Sequence, residues 1–131
     1  MKLLLDTHIL LWALLEPERL KRRVAAELRN PKNEIWLSPI SVWETLILAE
    51  KGRIELKPDP AAWIKTVLKR LAFHEARINH EIAIQSRTMN LRQQDPADRF
   101  LAATAMVYQL TLVTADAMFF RCRDISILRN R

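Results

Sequence analysis

Short apolar runs alternate with longer segments of helical periodicity along this chain. Four apolar runs predict strands, at Lys2–Leu5, Ile35–Leu37, Thr111–Thr114 and Ile125–Leu128, and a brief extended piece is predicted at Ile54–Leu56. Apolar residues spaced three and four apart predict helices, at His8–Leu15, Arg19–Arg29 and Ile40–Lys51 and in the segments that follow Asp59, Asn79 and Asp95. This alternation is typical of an α/β fold with a mainly parallel sheet.

The ends of the predicted helices carry recognisable capping residues. Ser38, Asp59 and Asp95 each precede a proline, and a polar cap followed by proline is a favoured helix start. The only glycine, Gly52, follows the third predicted helix, where a left-handed residue commonly ends a helix. No repeat or low-complexity linker interrupts the pattern, so we expect one domain over residues 1–131.

Composition removes several function classes. The chain has 131 residues, 21 of them Lys or Arg against 15 Asp or Glu, with one glycine and one cysteine. A single glycine excludes the glycine-rich loops that cradle phosphates. The lone Cys122 permits no internal disulfide, which favours a reducing, cytoplasmic location, and no apolar run is long enough to span a membrane. The formal net charge of +6 suggests a polyanionic partner.

Four carboxylates stand where a packed fold seldom leaves one. Asp6 and Asp116 each follow a predicted strand, and ligands of open parallel sheets bind at the carboxyl ends of strands. Glu44 interrupts an apolar helix surface, and Asp98 is the third residue of a predicted helix. Each has an ordinary explanation as well. Asp6 could cap a helix and Asp116 could be a turn residue. Glu44 could pair with an arginine, and Asp98 is favoured by the helix dipole.

Convergence of the four acids at one edge of the sheet would favour a metal site. Carboxylates gathered in a low dielectric repel one another unless a cation compensates them. Oxygen ligands alone suit Mg²⁺ or Mn²⁺. Such an ion activates water and stabilises phosphoryl oxygens during in-line displacement.

Four motifs occur in a fixed order along the chain. They are Asp6-Thr7-His8 with Leu10-Leu11-Trp12, Ser41-Val42-Trp43-Glu44, Asp95-Pro96-Ala97-Asp98-Arg99 with Ala102-Ala103-Thr104-Ala105, and Leu112-Val113-Thr114-Ala115-Asp116. In this order and approximate spacing they resemble the PIN-domain ribonucleases, and the VapC-type toxins of bacterial toxin–antitoxin pairs in particular. The resemblance covers essentially the whole chain, and the ordered set is far more specific than any one motif.

The resemblance implies a fold, a reaction and a site. The fold is a three-layer α/β/α sandwich with a mainly parallel central sheet, and the reaction is endonucleolytic hydrolysis of RNA by a metal-activated water. The implied catalytic acids, which hold one or two Mg²⁺ or Mn²⁺ ions, are Asp6, Glu44, Asp98 and Asp116. The implied supporting residues are Thr7, Thr114, Asp95 and Arg99. Thr7 and Thr114 would hydrogen-bond the acids, Asp95 would cap a helix or lie behind the acids, and Arg99 would orient a carboxylate or contact phosphate.

The resemblance also implies partners. Toxins of this type are usually homodimers and are silenced by a small antitoxin that covers the site. We expect Trp12, Leu14 and Leu15 to contribute to the groove that receives this antitoxin. No long helical insertion over the site is recognisable, so the way in which RNA enters is not defined by the motifs.

Three other interpretations remain open at this stage. The chain could be an inactive RNA-binding or partner-binding module, or a housekeeping RNA-processing nuclease. An aspartyl-phosphate enzyme with Asp6 as nucleophile would require an Asp-x-Asp start, and His8 does not match it. His8 is expected to be packed or hydrogen-bonded, and the four tryptophans, among them Trp43, are expected in the core or an interface.

Overall fold

The computed structural model describes residues 1–131. Five strands form one sheet: β1 (Lys2–Leu5), β2 (Glu34–Leu37), β3 (His74–Glu75), β4 (Thr111–Thr114) and β5 (Ser126–Arg129). Six helices connect or follow them: α1 (Thr7–Leu15), α2 (Arg22–Arg29), α3 (Pro39–Glu50), α4 (Pro60–Arg70), α5 (His80–Thr88) and α6 (Pro96–Tyr108). Short 3-10 helices occupy Pro17–Arg19 and Ala117–Phe119. None of the α-helices combines the length and apolarity needed to cross a membrane.

All strand pairs of the sheet are parallel, in the order β3-β2-β1-β4-β5. β1 lies at the centre, where Leu4 pairs with Trp36 on one side and with Leu112 on the other. The backbone N–H of Asp6 donates to the carbonyl of Val113 at 3.0 Å, which extends the β1–β4 ladder beyond the end of β1. The order of the strands reverses between β1 and β4, and a crevice for ligands forms at such a reversal.

Helices cover both faces of the sheet, so the predicted three-layer α/β/α sandwich is confirmed. Side chains of a strand alternate between faces, and β1 shows this directly. Leu3 and Leu5 pack in a cluster with Ile9 of α1 and Val24 of α2. Leu4 packs on the opposite face with residues of α5 and α6.

Two predicted elements differ from the structure. Ile54–Leu56 forms no strand, and the fifth strand is instead the two-residue β3, whose side chains are both exposed. An exposed edge strand of two residues has no apolar pattern from which it could be predicted. The predicted helix Arg19–Arg29 is divided, because Leu20 and Lys21 are extended and separate the first 3-10 helix from α2.

The predicted helix caps are formed as hydrogen bonds. Side-chain oxygens of Ser38, Asp59, Asn79 and Asp95 accept backbone N–H groups in the first turns of α3, α4, α5 and α6. Such caps satisfy N–H groups that have no partner within the helix. The cap at Asp95 also orients the start of α6, which carries Asp98.

Gly52 ends α3 in the predicted left-handed conformation, with φ of 70°. The N–H of Arg53 donates to the carbonyl of Leu48, and that of Gly52 to the carbonyl of Ala49, both at 3.0 Å. This is the Schellman pattern of a helix end. α6 ends with the same pattern, but its left-handed residue is Gln109, with φ of 56°.

The two left-handed residues predict stability changes of opposite sign. Gly52→Ala should lower the free energy of unfolding by about 1 kcal/mol because a Cβ disfavours this conformation. The space around the new Cβ is free within 4 Å, so the loss isolates the backbone effect. Gln109→Gly should raise the free energy of unfolding by up to about 1 kcal/mol for the same reason. Urea denaturation of both variants measures these changes, and equal signs for the two would contradict the explanation.

Candidate functional site

One cavity of about 560 Å³ lies at the carboxyl edge of the sheet, and all four sequence-predicted acids line it. Asp6 follows β1 and Asp116 follows β4, the neighbouring strands at which the strand order reverses. Glu44 reaches the cavity from α3 and Asp98 from α6. Asp95 lines the cavity as a fifth acid. We refer to this space as the acidic cavity.

Asp6 and Asp116 are linked through one hydroxyl group. The hydroxyl of Thr114 donates to Asp6 Oδ2 at 2.7 Å and accepts the backbone N–H of Asp116 at 3.0 Å. The Asp6 carboxylate makes no capping bond to α1, so capping does not explain its place. Asp116 does cap the short helix after β4, because its Oδ1 accepts the N–H of Met118 at 2.9 Å. Its other oxygen lies 3.4 Å from Nε2 of Gln93, a contact that no sequence pattern indicated.

Glu44 is held from α1. The Thr7 hydroxyl donates to Glu44 Oε1 at 2.6 Å and lies 3.0 Å from the hydroxyl of Ser41. Ser41 is fully buried one turn before Glu44 on α3, and sequence reasoning did not single it out. Its spacing of three residues from Glu44 places both on one helix face and could have indicated it. No arginine pairs with Glu44, so the ordinary explanation of this acid does not apply.

Asp98 lies among negative charges without a hydroxyl donor. Asp95 Oδ1 accepts the backbone N–H groups of Ala97 at 2.9 Å and of Asp98 at 3.3 Å, so Asp95 serves as the cap of α6. The side chain of Asp98 is half-buried and forms no ion pair. Its charge is therefore the least compensated of the four.

Burial raises the pKa of three of these carboxyl groups. The pKa of Asp6 rises because the group is desolvated, although the Thr114 hydroxyl opposes this shift. Desolvation likewise raises the pKa of Glu44, against the hydroxyl bond that it accepts. Desolvation and then the charges of the neighbouring acids, Asp6 first, raise the pKa of Asp98 to about 7. Raised carboxyl pKa values in one cleft are typical of functional sites.

The side chains of the acidic cavity offer the ligand atoms that a hard divalent cation prefers, but they do not form a complete coordination site. Every acidic ligand at the cavity offers oxygen, and no cysteine lines it. No three acidic, histidine or cysteine side chains already converge as a complete metal site. Mg²⁺ keeps several water ligands and commonly binds proteins through only one or two carboxylates. An ion of this kind therefore does not require a preformed three-residue cage.

Arg99 does not act as the sequence pattern suggested. Its guanidinium is 5% exposed and donates to four backbone carbonyls, those of Ser86, Met89, Leu91 and Gln93, at 2.6 to 2.9 Å. It contacts no carboxylate and does not line the acidic cavity. The expected contact of Arg99 with a carboxylate or with phosphate is thus wrong, because its bonds anchor the last turn of α5 and the segment between α5 and α6. Arg99 reaches the site only through that segment.

The remaining wall of the acidic cavity is basic and aromatic. Apart from Ala115, it consists of His8, Trp12 and Arg19. The Arg19 guanidinium lies 4.3 Å from the centre of the Trp12 ring, and the His8 ring lies 5.9 Å from it. His8 was expected to be packed or hydrogen-bonded, and packing is wrong because the residue is exposed. A cation over an aromatic face is an attractive arrangement, so this wall is compatible with an anionic ligand.

Comparison with known proteins adds independent information. The sequence model of the PIN domain matches residues 3–124. The chain is 32% identical over 116 residues to "Ribonuclease VapC22" of Mycobacterium tuberculosis, a match that covers 86% of this chain and 85% of that protein.

Solved structures share the fold over nearly the full length. DNA-bound VapBC from Salmonella typhimurium superposes with a TM-score of 0.72 at 21% identity and covers 100% of this chain and 99% of that one. A toxin–antitoxin complex from Klebsiella pneumoniae has a TM-score of 0.67 at 24% identity and covers 98% and 97%. At these identities the likeness concerns the fold.

The raised pKa of Asp98 predicts a pH-dependent stability. Its folded-state value lies above the ordinary one, so this carboxyl stabilises the fold at low pH and loses that contribution between 3.8 and about 7. Without divalent ions, Asp98→Asn should raise the free energy of unfolding at pH 8 by about 1–2 kcal/mol, which allows for partial solvent screening. It should have little effect at pH 4.

Urea denaturation in a chelating buffer at both pH values measures this difference. Asp124→Asn is the matched control, because Asp124 is exposed and lies outside the acidic cavity. A gain from Asp98→Asn that is equal at both pH values would show that its charge is not the cause.

Proposed function

The chain belongs to the PIN-domain family and is of the VapC type within it, and on this basis we propose that residues 1–131 form one endoribonuclease domain. In this proposal the protein hydrolyses RNA with the help of Mg²⁺ or Mn²⁺. It acts as the toxin of a toxin–antitoxin pair and forms a homodimer. The observation that carries the proposal is the arrangement of Asp6, Glu44, Asp98 and Asp116 around one cavity.

The proposed metal ligands are the same four acids. A bound Mg²⁺ or Mn²⁺ supplies a Lewis acid that activates water and neutralises charge on the phosphoryl oxygens. One or two ions fit the proposal. The protein contributes the placement of the ligands, since hydroxyl bonds orient Asp6 and Glu44 at 2.7 and 2.6 Å. Outer hydrogen bonds of this kind fix the direction of metal-binding side chains.

The polar residues of the cavity have separate tasks in this mechanism. Thr114 fixes Asp6 relative to the backbone of Asp116, so the two strand ends present their acids together. Arg19 and His8 line the same cavity and are placed to contact the anionic backbone of the RNA. The phosphodiester is thereby held beside the acids that would bind the ion, where water adds to phosphorus, the bond to one bridging oxygen breaks and a proton from the water passes to that oxygen.

Cleavage assays on a pool of structured RNAs test the hydrolytic proposal. Asp98→Asn should lower the cleavage rate by about 100-fold or more with either metal, since removal of even an outer supporting group typically costs about 10- to 100-fold. Cleavage by the wild type should require added Mg²⁺ or Mn²⁺ and disappear with chelator. Asp124→Asn, which lies outside the cavity, should cut like the wild type.

The alternatives give different results in the same assay. If the wild type cuts no better than Asp98→Asn with either metal, the hydrolytic proposal fails. Salt-dependent binding of RNA without cleavage would then identify an inactive RNA-binding module. A small gene for a DNA-binding protein directly beside this one would distinguish a toxin from a housekeeping nuclease.

An antitoxin is the proposed protein partner. The solved toxin–antitoxin complex that shares the fold supports this choice. The hypothesis that Trp12, Leu14 and Leu15 share one groove needs correction, because Leu14 lies on the opposite side of α1 from Trp12. Trp12 and Leu15 line a small cavity of about 220 Å³ with Arg19. Leu14 lines a larger one of about 530 Å³, in which nine of the 15 lining residues are hydrophobic.

The larger groove is the proposed seat of an apolar segment of the antitoxin. Leu14→Asp should prevent co-purification with the antitoxin encoded beside this gene, because a charge would be buried in an apolar contact. Ile84→Asp is the control, since Ile84 is 62% exposed on α5 and lies outside the groove. Circular dichroism verifies that both variants fold. Undiminished co-purification of folded Leu14→Asp would reject this groove as the seat.

A further inference from the structure

Trp43 is an exposed tryptophan directly beside the acidic cavity. It is 54% exposed, so of the two places expected for the tryptophans, the core or an interface, the core is wrong for Trp43. Its ring pairs with no other ring and carries no cation. Trp36, by contrast, stacks on His74 at 5.1 Å. A large aromatic surface left in water at the rim of a site is typical of a contact surface.

Trp43 lines a second cavity of about 400 Å³, which we call the Trp43 cavity. This space shares His8, Glu44 and Asp95 with the acidic cavity, so the two adjoin. Trp43 of α3 and Lys51, the residue that directly follows α3, both line it. A ligand that extends from the acids towards α3 would therefore meet Trp43.

The cations of the Trp43 cavity are available for an anionic ligand. Lys51 and Arg53 line it, both are exposed, and neither forms an ion pair. The Schellman turn at Gly52 holds Arg53 in place, because the Arg53 N–H is bonded to α3 at 3.0 Å. Arg53 also lines the 220 Å³ cavity that contains Arg19, where Arg19 is paired with Glu16 at 3.5 Å, so Arg53 is the unpaired cation of that cavity.

We propose that the Trp43 cavity binds single-stranded RNA next to the scissile phosphodiester, with an unpaired base stacked on Trp43 and phosphates contacting Lys51 and Arg53. The proposal rests on the proposed function, and it adds the residues that would hold the substrate strand beside the acids, namely Trp43, Lys51 and Arg53. Aromatic platforms combined with a basic groove are how proteins bind single strands with little sequence preference. A base within a duplex has both faces stacked and cannot use the platform.

A partner protein is the competing occupant of this surface, and the charges favour RNA. An exposed tryptophan alone would suit either ligand. Two unpaired cations beside it can bind the phosphates of a strand, and the adjoining cavity is the one whose acids would bind the metal ion.

The experiment measures binding rather than cleavage. The full-length chain carrying Asp98→Asn is titrated in chelating buffer with a short fluorescent RNA that lacks secondary structure, and with the same RNA annealed to its complement. Adding Trp43→Ala should weaken single-strand binding by about tenfold and leave duplex binding unchanged. Trp43→Phe should retain most of the affinity, since a ring is kept. Ile84→Ala, an exposed residue outside both cavities, should have no effect.

Two further measurements identify the contacts. Abasic RNA should bind the parent protein about tenfold more weakly than intact RNA, yet Trp43→Ala should bind both RNAs alike, because base and ring act as one pair. Two single variants, Lys51→Ala and Arg53→Ala, should each reduce the slope of log affinity against log salt concentration by about 0.7.

Several results would overturn the proposal. Unchanged single-strand binding of folded Trp43→Ala would do so, and so would equal losses for single-stranded and duplex RNA. If Trp43→Ala binds RNA normally but no longer forms the homodimer or no longer binds the antitoxin, the surface belongs to a protein partner instead. Absence of cleavage by the wild type, with Trp43-dependent binding intact, would reject the nuclease function and leave the platform standing.

Discussion

Repulsion among carboxylates that share one partly buried cavity is the constraint on which this structure depends. Five acids line the cavity, and burial together with mutual repulsion raises the pKa of three of them. A fold that only had to be stable would not gather them. The sheet core opposes this cost, since β1 and β4 are covered on both faces by apolar clusters. The acidic cavity, whose charges destabilise the fold, thus adjoins the most deeply buried strands of the sheet.

The strand order explains why the acids meet. β1 and β4 are remote in sequence but adjacent in the sheet, and each is followed within two residues by an aspartate. Thr114 then fixes the two aspartates relative to each other, because its hydroxyl contacts both the Asp6 carboxylate and the backbone of Asp116. The other two acids come from helices, and Thr7 of α1 ties α3 to the same edge through Glu44. Threonines next to the acids therefore determine the geometry as much as the acids do.

Periodic and local signals predicted most of the sheet and placed Asp6 and Asp116 at strand ends, whereas the grouping of Glu44 and Asp98 with them came from the resemblance of the ordered motifs. Apolar runs that end in aspartate locate strand ends, and a parallel sheet aligns those ends at one edge. The two-residue strand β3 escaped prediction because both its residues are exposed. The role of Arg99 escaped for a different reason, since its partners are backbone carbonyls, which have no sequence signature. The exposure of Trp43 depends on the path of distant segments, and its apolar neighbours in sequence suggested the core.

The anchoring of residues 86–93 by Arg99 has a consequence for how such a protein can diversify. Each of the four bonds ends on a main-chain oxygen, an atom that every amino acid supplies. The path of the segment is therefore maintained whatever side chains it carries. Gln93, which touches Asp116, lies within it. Variation can alter the chemistry presented to the cavity at such positions while one arginine preserves the shape, so that the segment can acquire new preferences without first losing its structure.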